Sequence, residues 1–329
     1  MKIKLFSHWD LDGYGCNILL KYLFSDVDCV NTNYDKINEI IANFIDSDDY
    51  KNYEVIYITD ISVRKEVAEK IQKIYEKGFK IQLLDHHKNL EWLNKYEWAN
   101  IYYTEIIRDT ISGTKLLYNN LLCNKFELTP DRLSLYNFEK DTCLEGLVYL
   151  IDSYDTWKWK EEDDTCPKQL NDLFFILGTE QFEAELIDSY YDSFEVMEKY
   201  KFLLERKQKE IDELYKKMVN NMIIKTINCS NVSMRDPETY TAAIIFSENY
   251  ASELGNRICE ARDDIDFACI INMRDKRVSL RSTKEDIDVS HIASYFHLGG
   301  GIKHAAGFQI PQCDEKEAID NIVHVNCSL

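Results

Sequence analysis

The chain has 329 residues, 45% of them apolar, and a formal net charge of −19. That is enough for one large domain or two domains with real cores, and no apolar run approaches the roughly 20 residues of a membrane helix. So acidic a chain is a poor general grip on long nucleic acid, which relies on many Lys and Arg contacts to phosphates, but it can still hold a short phosphorylated substrate in a local pocket.

Met1-Lys2 leads straight into a strand-like segment, leaving no room for a signal peptide. The ten cysteines are scattered without a C-x-x-C pair and read as reduced thiols. A cytoplasmic protein without membrane attachment is expected.

In chain order, strands are expected at Lys2–Ser7, Cys29–Tyr34, Val55–Thr59, Lys80–Leu84 and Ile101–Thr104. Helical patterns separate them at Gly15–Phe24, Ile37–Ile45, Val63–Glu76 and Ser112–Leu122. Such alternation implies right-handed crossovers and a mostly parallel sheet. Pro130-Asp131 opens a long helical region carrying Leu144, Leu147, Val148 and Ile151 at helical spacing. Residues 168 to 226 read as helical, with Tyr200–Val219 a charged, solvated connecting helix. From Cys229 the pattern returns to strands, at Thr241–Phe246, Phe267–Met273 and Arg277–Arg281, before the run Gly299-Gly300-Gly301. The fold class is α/β: an N-terminal domain with a mostly parallel sheet over 1–165, a helical connector over 166–228, and a smaller C-terminal α/β domain over 229–329.

The strand ends carry the chemistry. The first strand ends in His8-x-Asp10-x-Asp12, the third in Asp60 and the fourth in Asp85-His86-His87. Ligands of an open parallel sheet bind beyond the carboxyl ends of its strands. Alternate residues of an extended chain share a side, so His8, Asp10 and Asp12 fall in one small volume. Carboxylates crowded in this way repel and raise one another's pKa unless a cation compensates them. Mixed imidazole and carboxylate donors suit Mn²⁺, Mg²⁺, Fe²⁺ or Zn²⁺. There are too many donors for one tetrahedral ion, so two ions sharing a carboxylate, the usual device for phosphoester hydrolysis, are expected. Each piece has a plain alternative as a turn residue, a helix cap or a surface histidine; the weight lies in their conjunction.

This conjunction resembles the DHH phosphoesterase superfamily, which includes RecJ-type exonucleases, family II pyrophosphatases, nanoRNases and cyclic-dinucleotide phosphodiesterases. Y-D-T-W, Tyr154 to Trp157, supplies Asp155 as the fourth motif. R-V-S-L-R, Arg277 to Arg281, with I-D-V-S and the glycine run, resembles the DHH-associated (DHHA1) substrate domain. S-H-W-D-L-D-G-Y-G-C, I-T-D-I-S, D-H-H-K, Y-D-T-W-K-W, L-N-D-L-F-F, S-E-L-G-N-R and K-R-V-S-L-R are most similar to the nanoRNase B branch, the oligoribonucleases of Gram-positive bacteria.

The resemblance implies that His8 and Asp10 bind one metal, that Asp12, His86 and Asp155 bind a second, and that Asp60 bridges them, with Mn²⁺ the favoured ion. It implies that Asp85 orients an imidazole ligand and that His87 faces the substrate phosphate. It makes Arg281, Gly299, Gly300, Gly301 and His304 candidates for holding the substrate's far end. Gly13 and Gly15 are expected to permit a sharp turn into the following helix. Asp152, one helical turn before Asp155, is a rival ligand. The family usually places a His after the glycine run, where this chain has Ile302, and the chain ends at Leu329 sooner after that domain than the family does.

The implied activity is hydrolysis of short RNA to nucleoside 5′-monophosphates. The alternatives are 3′-phosphoadenosine 5′-phosphate, linear or cyclic dinucleotides, or a nucleotide-binding module without turnover. A dinucleotide-binding oxidoreductase fits the parallel sheet but not Gly13-Tyr14-Gly15, which lacks the G-x-G-x-x-G arrangement. Closure of the two domains over substrate is expected, and a homodimer remains open.

Overall fold

The computed structural model describes residues 1–310 except 105, 124, 133–134, 229–238 and 297–298. The chain divides into two compact units, Met1–Leu204 and Glu205–Leu329.

The first unit begins β1 (Lys2–His8), α1 (Leu11–Leu23), β2 (Asp26–Thr32), α2 (Ile37–Asp46), β3 (Val55–Thr59), α3 (Lys65–Tyr75), β4 (Lys80–Asp85) and β5 (Ala99–Ile101). It continues through α4 (Gly113–Cys123), α5 (Leu135–Lys140), α6 (Thr142–Asp155), α7 (Lys158–Glu161), α8 (Cys166–Leu177), α9 (Thr179–Asp188) and α10 (Ser193–Lys199). Its five strands lie in the order β2-β1-β3-β4-β5, every pair parallel. The chain leaves β1 toward β2 on one side and returns to β3 on the other. A crevice therefore opens at the carboxyl ends of β1 and β3, the topological switch point where ligands of such sheets bind.

Both faces of this sheet are covered, which is why β3 reads V-I-Y-I without polar alternation. Ile3, Leu5, Val55 and Tyr57 face a core built with α1, α4, α6 and α8. Phe6, Ile56, Ile58, Ile81 and Leu83 face a second core shared with α2 and α3. Leu170, Leu173 and Phe174 of α8, Phe182 and Leu186 of α9, and Val196 and Met197 of α10 join the first of these cores.

α11 (Lys201–Val219) carries the chain across the boundary between units, with Ile211 its only fully buried residue. The second unit adds β6 (Ile223–Asn228), β7 (Thr239–Phe246), α12 (Ala251–Ala261), β8 (Phe267–Asn272), β9 (Arg277–Arg281), α13 (Val289–Ser294), β10 (Gly300–Ile302) and β11 (Ala305–Gln309). Its sheet runs β10-β11-β9-β8-β7-β6, with β7 and β8 parallel and the other neighbours antiparallel.

Ile223–Asn228 is a strand where the charged helical pattern is expected to continue to about 226. Its alternating I-I-K-T-I-N pairs with β7. Residues 229–238, where the return to strands is expected to begin, fall outside the described residues. Among the described residues, no helix is long and apolar enough to cross a membrane.

Candidate metal centre

Each candidate donor stands where its element begins or ends. β1 stops at His8, and Asp10 caps α1, its Oδ1 accepting the Gly13 N–H at 3.0 Å. The other Asp10 oxygen lies 2.7 Å from His8 Nδ1. A carboxylate at a helix N-terminus satisfies an otherwise unpaired N–H and faces the positive end of the dipole. Asp12, in the first turn of α1, is buried and accepts the backbone N–H groups of Gly113 at 2.7 Å and Thr114 at 2.8 Å, where α4 begins. Asn31 on β2 donates to the His8 carbonyl at 2.6 Å and fixes the end of β1.

β3 leads directly into Asp60, whose φ of 52° lies in the left-handed region. Asp tolerates this better than most residues, and such strain collects at functional sites. β4 ends in the fully buried Asp85. One Asp85 oxygen accepts the His86 N–H at 2.7 Å and the His87 N–H at 3.2 Å, and lies 2.7 Å from His87 Nδ1. Asp155 closes α6.

These ends converge. Donor atoms within 4.8 Å of one another form three overlapping groups: His8, Asp10 and Asp60; Asp12, His86 and Asp155; and Asp60, Asp85, His86 and His87. His86 Nε2 is 3.4 Å from Asp60 Oδ1, 3.3 Å from Asp155 Oδ2 and 3.9 Å from Asp12 Oδ2. His8 Nδ1 is 3.7 Å from Asp60 Oδ2. Asp60 and His86 thus tie the groups into one cluster.

The electrostatics are those of a site built for cations. Burial, with Asp10 and Asp12 close by, raises Asp60 well above the carboxylate range; burial with Asp12 and Asp10 does the same to Asp155. Burial and the Asp10 charge push Asp12 up to about 6. Burial, helped by His87, pushes His86 down to about 4, leaving a neutral imidazole with a lone pair. Asp60 Oδ2, Asp155 Oδ2 and His86 Nε2 are buried without a hydrogen-bond partner. Buried polar atoms are normally paired, so this donor set fits divalent cations, and the two groups without Asp85 and His87, one around His8 and Asp10 and one around Asp12 and Asp155, are two lobes consistent with two of them.

Asp152 is placed differently from Asp155. Its Oδ1 accepts the Ser112 N–H at 2.7 Å, and its Oδ2 pairs with Lys158 Nζ at 2.7 Å. It thereby secures the approach to α4. Of the two adjoining imidazoles, Asp85 holds that of His87. Burial works to raise Asp85, but the adjoining His87 draws it below the usual range.

Gly13 and Gly15 lie inside α1 rather than in a turn before it. A Cβ on Gly13 would fall 2.3 Å from the His8 carbonyl oxygen, and one on Gly15 would fall 2.3 Å from Thr114 Oγ1. They permit close packing of α1 against the end of β1 and against α4.

The sequence barely marks two further neighbours. Gly113 leaves room where a Cβ would lie 2.6 Å from Asp60 Cβ and 3.0 Å from Asp12 Oδ2; the only hint is its place at a helix start. The Tyr34 ring lies tilted at 43° to the His8 ring with centroids 4.9 Å apart, and its hydroxyl is 3.4 Å from His87 Nε2. Nothing in N-T-N-Y-D signals this.

In the second unit, Arg281 is half-buried at the end of β9. Its guanidinium donates to the Leu280 carbonyl at 2.8 Å and to Ser252 Oγ at 2.5 Å. Gly255 leaves space for its stem, since a Cβ there would meet Arg281 Cγ at 2.8 Å. The glycine run is not a turn: Gly300 and Gly301 belong to β10, at the edge of the sheet, paired with Gly307 and Ala306. Gly299 packs against the Ala293 carbonyl. His304 Nε2 lies 3.6 Å from Glu285 Oε1. The side chain of Ile302 lies outside the described part of the structure.

A parallel sheet whose carboxyl edge gathers two lobes of carboxylate and imidazole donors defines a metal-dependent phosphoesterase. No protein-family model matches the chain. It is 32% identical over 310 residues to the oligoribonuclease NrnB of Bacillus subtilis (strain 168), covering 93% of this chain and 72% of that protein. It is 26% identical over 347 residues to a 3′,5′-cyclic-nucleotide phosphodiesterase of Helicobacter pylori (strain ATCC 700392 / 26695), covering 94% and 93%. Among solved structures, exonuclease RecJ bound to manganese superposes with a TM-score of 0.56 at 16% identity, covering 98% of this chain and 88% of that one, a likeness of fold. The chain belongs to the DHH/DHHA1-type phosphoesterase superfamily, as a relative of the NrnB-like nanoRNases.

Proposed function

We propose that this protein is a two-metal phosphodiesterase that hydrolyses short RNA oligonucleotides to nucleoside 5′-monophosphates. The observation that carries the reading is the pair of donor groups joined through Asp60 and His86. Identity to an oligoribonuclease across most of the chain supports RNA as substrate. The net charge of −19 suits a short oligomer better than a long one.

In this reading His8, Asp10 and Asp60 hold one ion, and Asp12, His86 and Asp155, sharing Asp60, hold the other. Mn²⁺ suits the mixture of nitrogen and oxygen donors. Bound there, the ions supply Lewis-acid activation of water and neutralise charge developing on the phosphoryl group. Asp10 and Asp12, anchored at helix N-termini, keep their oxygens in place before any ion arrives. Asp85 holds His87 by Nδ1 and leaves Nε2 to donate to a phosphoryl oxygen. Arg281, the backbone of Gly299, Gly300 and Gly301, and His304 serve a terminal phosphate, with the Arg281 fork braced in advance by Ser252.

A second reading, hydrolysis of 3′-phosphoadenosine 5′-phosphate or of a linear or cyclic dinucleotide, is favoured by the 26% identity to a cyclic-nucleotide phosphodiesterase. One experiment separates the two. Labelled RNAs from a dimer to about a 24-mer, together with these small substrates, are incubated with the protein in Mn²⁺. Asp155→Asn is the control, because Asp155 Oδ2 has no hydrogen-bond partner whose loss would disturb the fold. Fastest turnover of two- to about five-nucleotide RNA, lost in the control, is the expected result. Preference for a cyclic or bisphosphorylated nucleotide would replace the RNA reading. Activity retained by Asp155→Asn would overturn the metal assignment.

A further inference from the structure

Beside the donor cluster the first unit exposes aromatic surface that metal binding does not explain. Trp9 stands between His8 and Asp10 and is 48% exposed; Phe175 of α8 is 47% exposed. Their ring centroids are 5.7 Å apart, edge to face. The Trp9 ring lies 6.3 Å from the His8 ring, and Tyr34, 45% exposed, lies tilted against His8 at 4.9 Å.

The position of Phe175 is set from below. Its neighbour Phe174 is buried against Tyr14 at 5.5 Å and Phe182 at 5.4 Å. Successive helix residues are about 100° apart. Anchoring Phe174 in the core therefore swings Phe175 outward onto Trp9. The tandem F-F of α8 serves the core with one ring and the surface with the other.

Single exposed aromatics are ordinary, but two rings in contact next to a phosphoester-cleaving cluster have a specific use. Nucleobases have π faces that stack on aromatic side chains, and such stacking tolerates any base sequence. A nuclease for short oligomers needs grip that reads no sequence and spans only a nucleotide or two.

We propose that Trp9 and Phe175 form a stacking platform for the nucleobase of a nucleotide adjoining the scissile phosphate. This rests on the nuclease reading above. The platform holds the base while the donor cluster holds the phosphate; it takes part in no bond-making step.

The test measures KM and kcat in Mn²⁺ for the dinucleotide pApA and for its two singly abasic analogues. The proteins are wild type, Trp9→Ala, Phe175→Ala and the aromatic replacements Trp9→Phe and Phe175→Tyr. Bound Mn²⁺ is quantified in each. The expected result is a rise in KM for pApA of about 5- to 100-fold in both alanine variants, with a much smaller change in kcat and full Mn²⁺ content. The aromatic replacements restore most of the affinity. With one of the two abasic analogues, the difference between wild type and alanine variant shrinks below about twofold, and that analogue identifies the stacked base.

Unchanged KM in Phe175→Ala would overturn the platform, as would an equal penalty on all three substrates. Loss of Mn²⁺ with loss of kcat in Trp9→Ala, without any change in Phe175→Ala, would make Trp9 a support for the metal ligands instead. Wild-type protein cleaving pApA no faster than Asp155→Asn would overturn the nuclease reading and the platform together. Wild-type cleavage with unaffected alanine variants would overturn the platform alone.

Discussion

Asp60 is the most burdened residue of the cluster. It is buried, left-handed in backbone, close to other carboxylates, and has one oxygen without a hydrogen-bond partner. Each of these costs free energy in the metal-free protein. Asp60→Asn removes the charge and keeps the shape. It should abolish phosphodiesterase activity while raising the melting temperature in EDTA by about 2–4 °C, the scale of about 1 kcal/mol for a domain of this size. Differential scanning calorimetry of both proteins in EDTA checks this, and a lower melting temperature for the variant would contradict it. His87 gives a pH signature. Burial works to lower it, but Asp85 prevails and lifts it to about 9. Between pH 6.5 and 9 the folded metal-free protein keeps a proton that the unfolded chain has released. Unfolding in that window sheds the proton, so stability falls as pH rises through it. Thermal melts in EDTA from pH 6.5 to 9 should show the decline, and Asp85→Asn should flatten it.

At the scale of elements, the cluster depends on how closely α1 and α4 approach the strand ends. Gly113→Ala puts a methyl group against Asp60 and Asp12. It should weaken Mn²⁺ binding about 10- to 100-fold, as disturbed support of ligands does, with the secondary structure intact. Titration calorimetry with Mn²⁺ reads this directly. The donors at strand ends are legible in the sequence because each ends an apolar run, so position along the chain reports position in the sheet. Asp155 is legible only through the Y-D-T-W motif, since nothing in helical periodicity separates it from Asp152. What separates them is tertiary: Asp152 meets Ser112, just ahead of α4, and Lys158 of α7. Tyr34, Phe175 and the hold of Asp12 on α4 escape for the same reason, being contacts between segments distant in sequence. β6 escapes because I-I-K-T-I-N follows a charged helix without a proline or glycine to mark the change.

For the whole molecule, every member of the donor cluster comes from the first unit, while Arg281 and the glycine edge strand belong to the second. Metal binding and the proposed phosphate grip should therefore be separable by mutation. Arg281→Ala should raise KM for a dinucleotide roughly tenfold or more, the loss of a charge-assisted fork, with Mn²⁺ affinity unchanged. Steady-state kinetics beside a Mn²⁺ titration tests both halves, and loss of Mn²⁺ binding would show that the units are coupled through the metals.

The spacing of the donors along the chain also sets an order of events during synthesis. His8, Asp10 and Asp60 have all been made one residue after β3 is complete, whereas the group of Asp12, His86 and Asp155 waits for the last residue of α6. A nascent chain can hold the first lobe's ligands while the second lobe still lacks Asp155. With the proposed ligands, hydrolytic competence cannot precede the end of α6, and the ribosome is spared a phosphoester-cleaving centre on its shorter nascent chains.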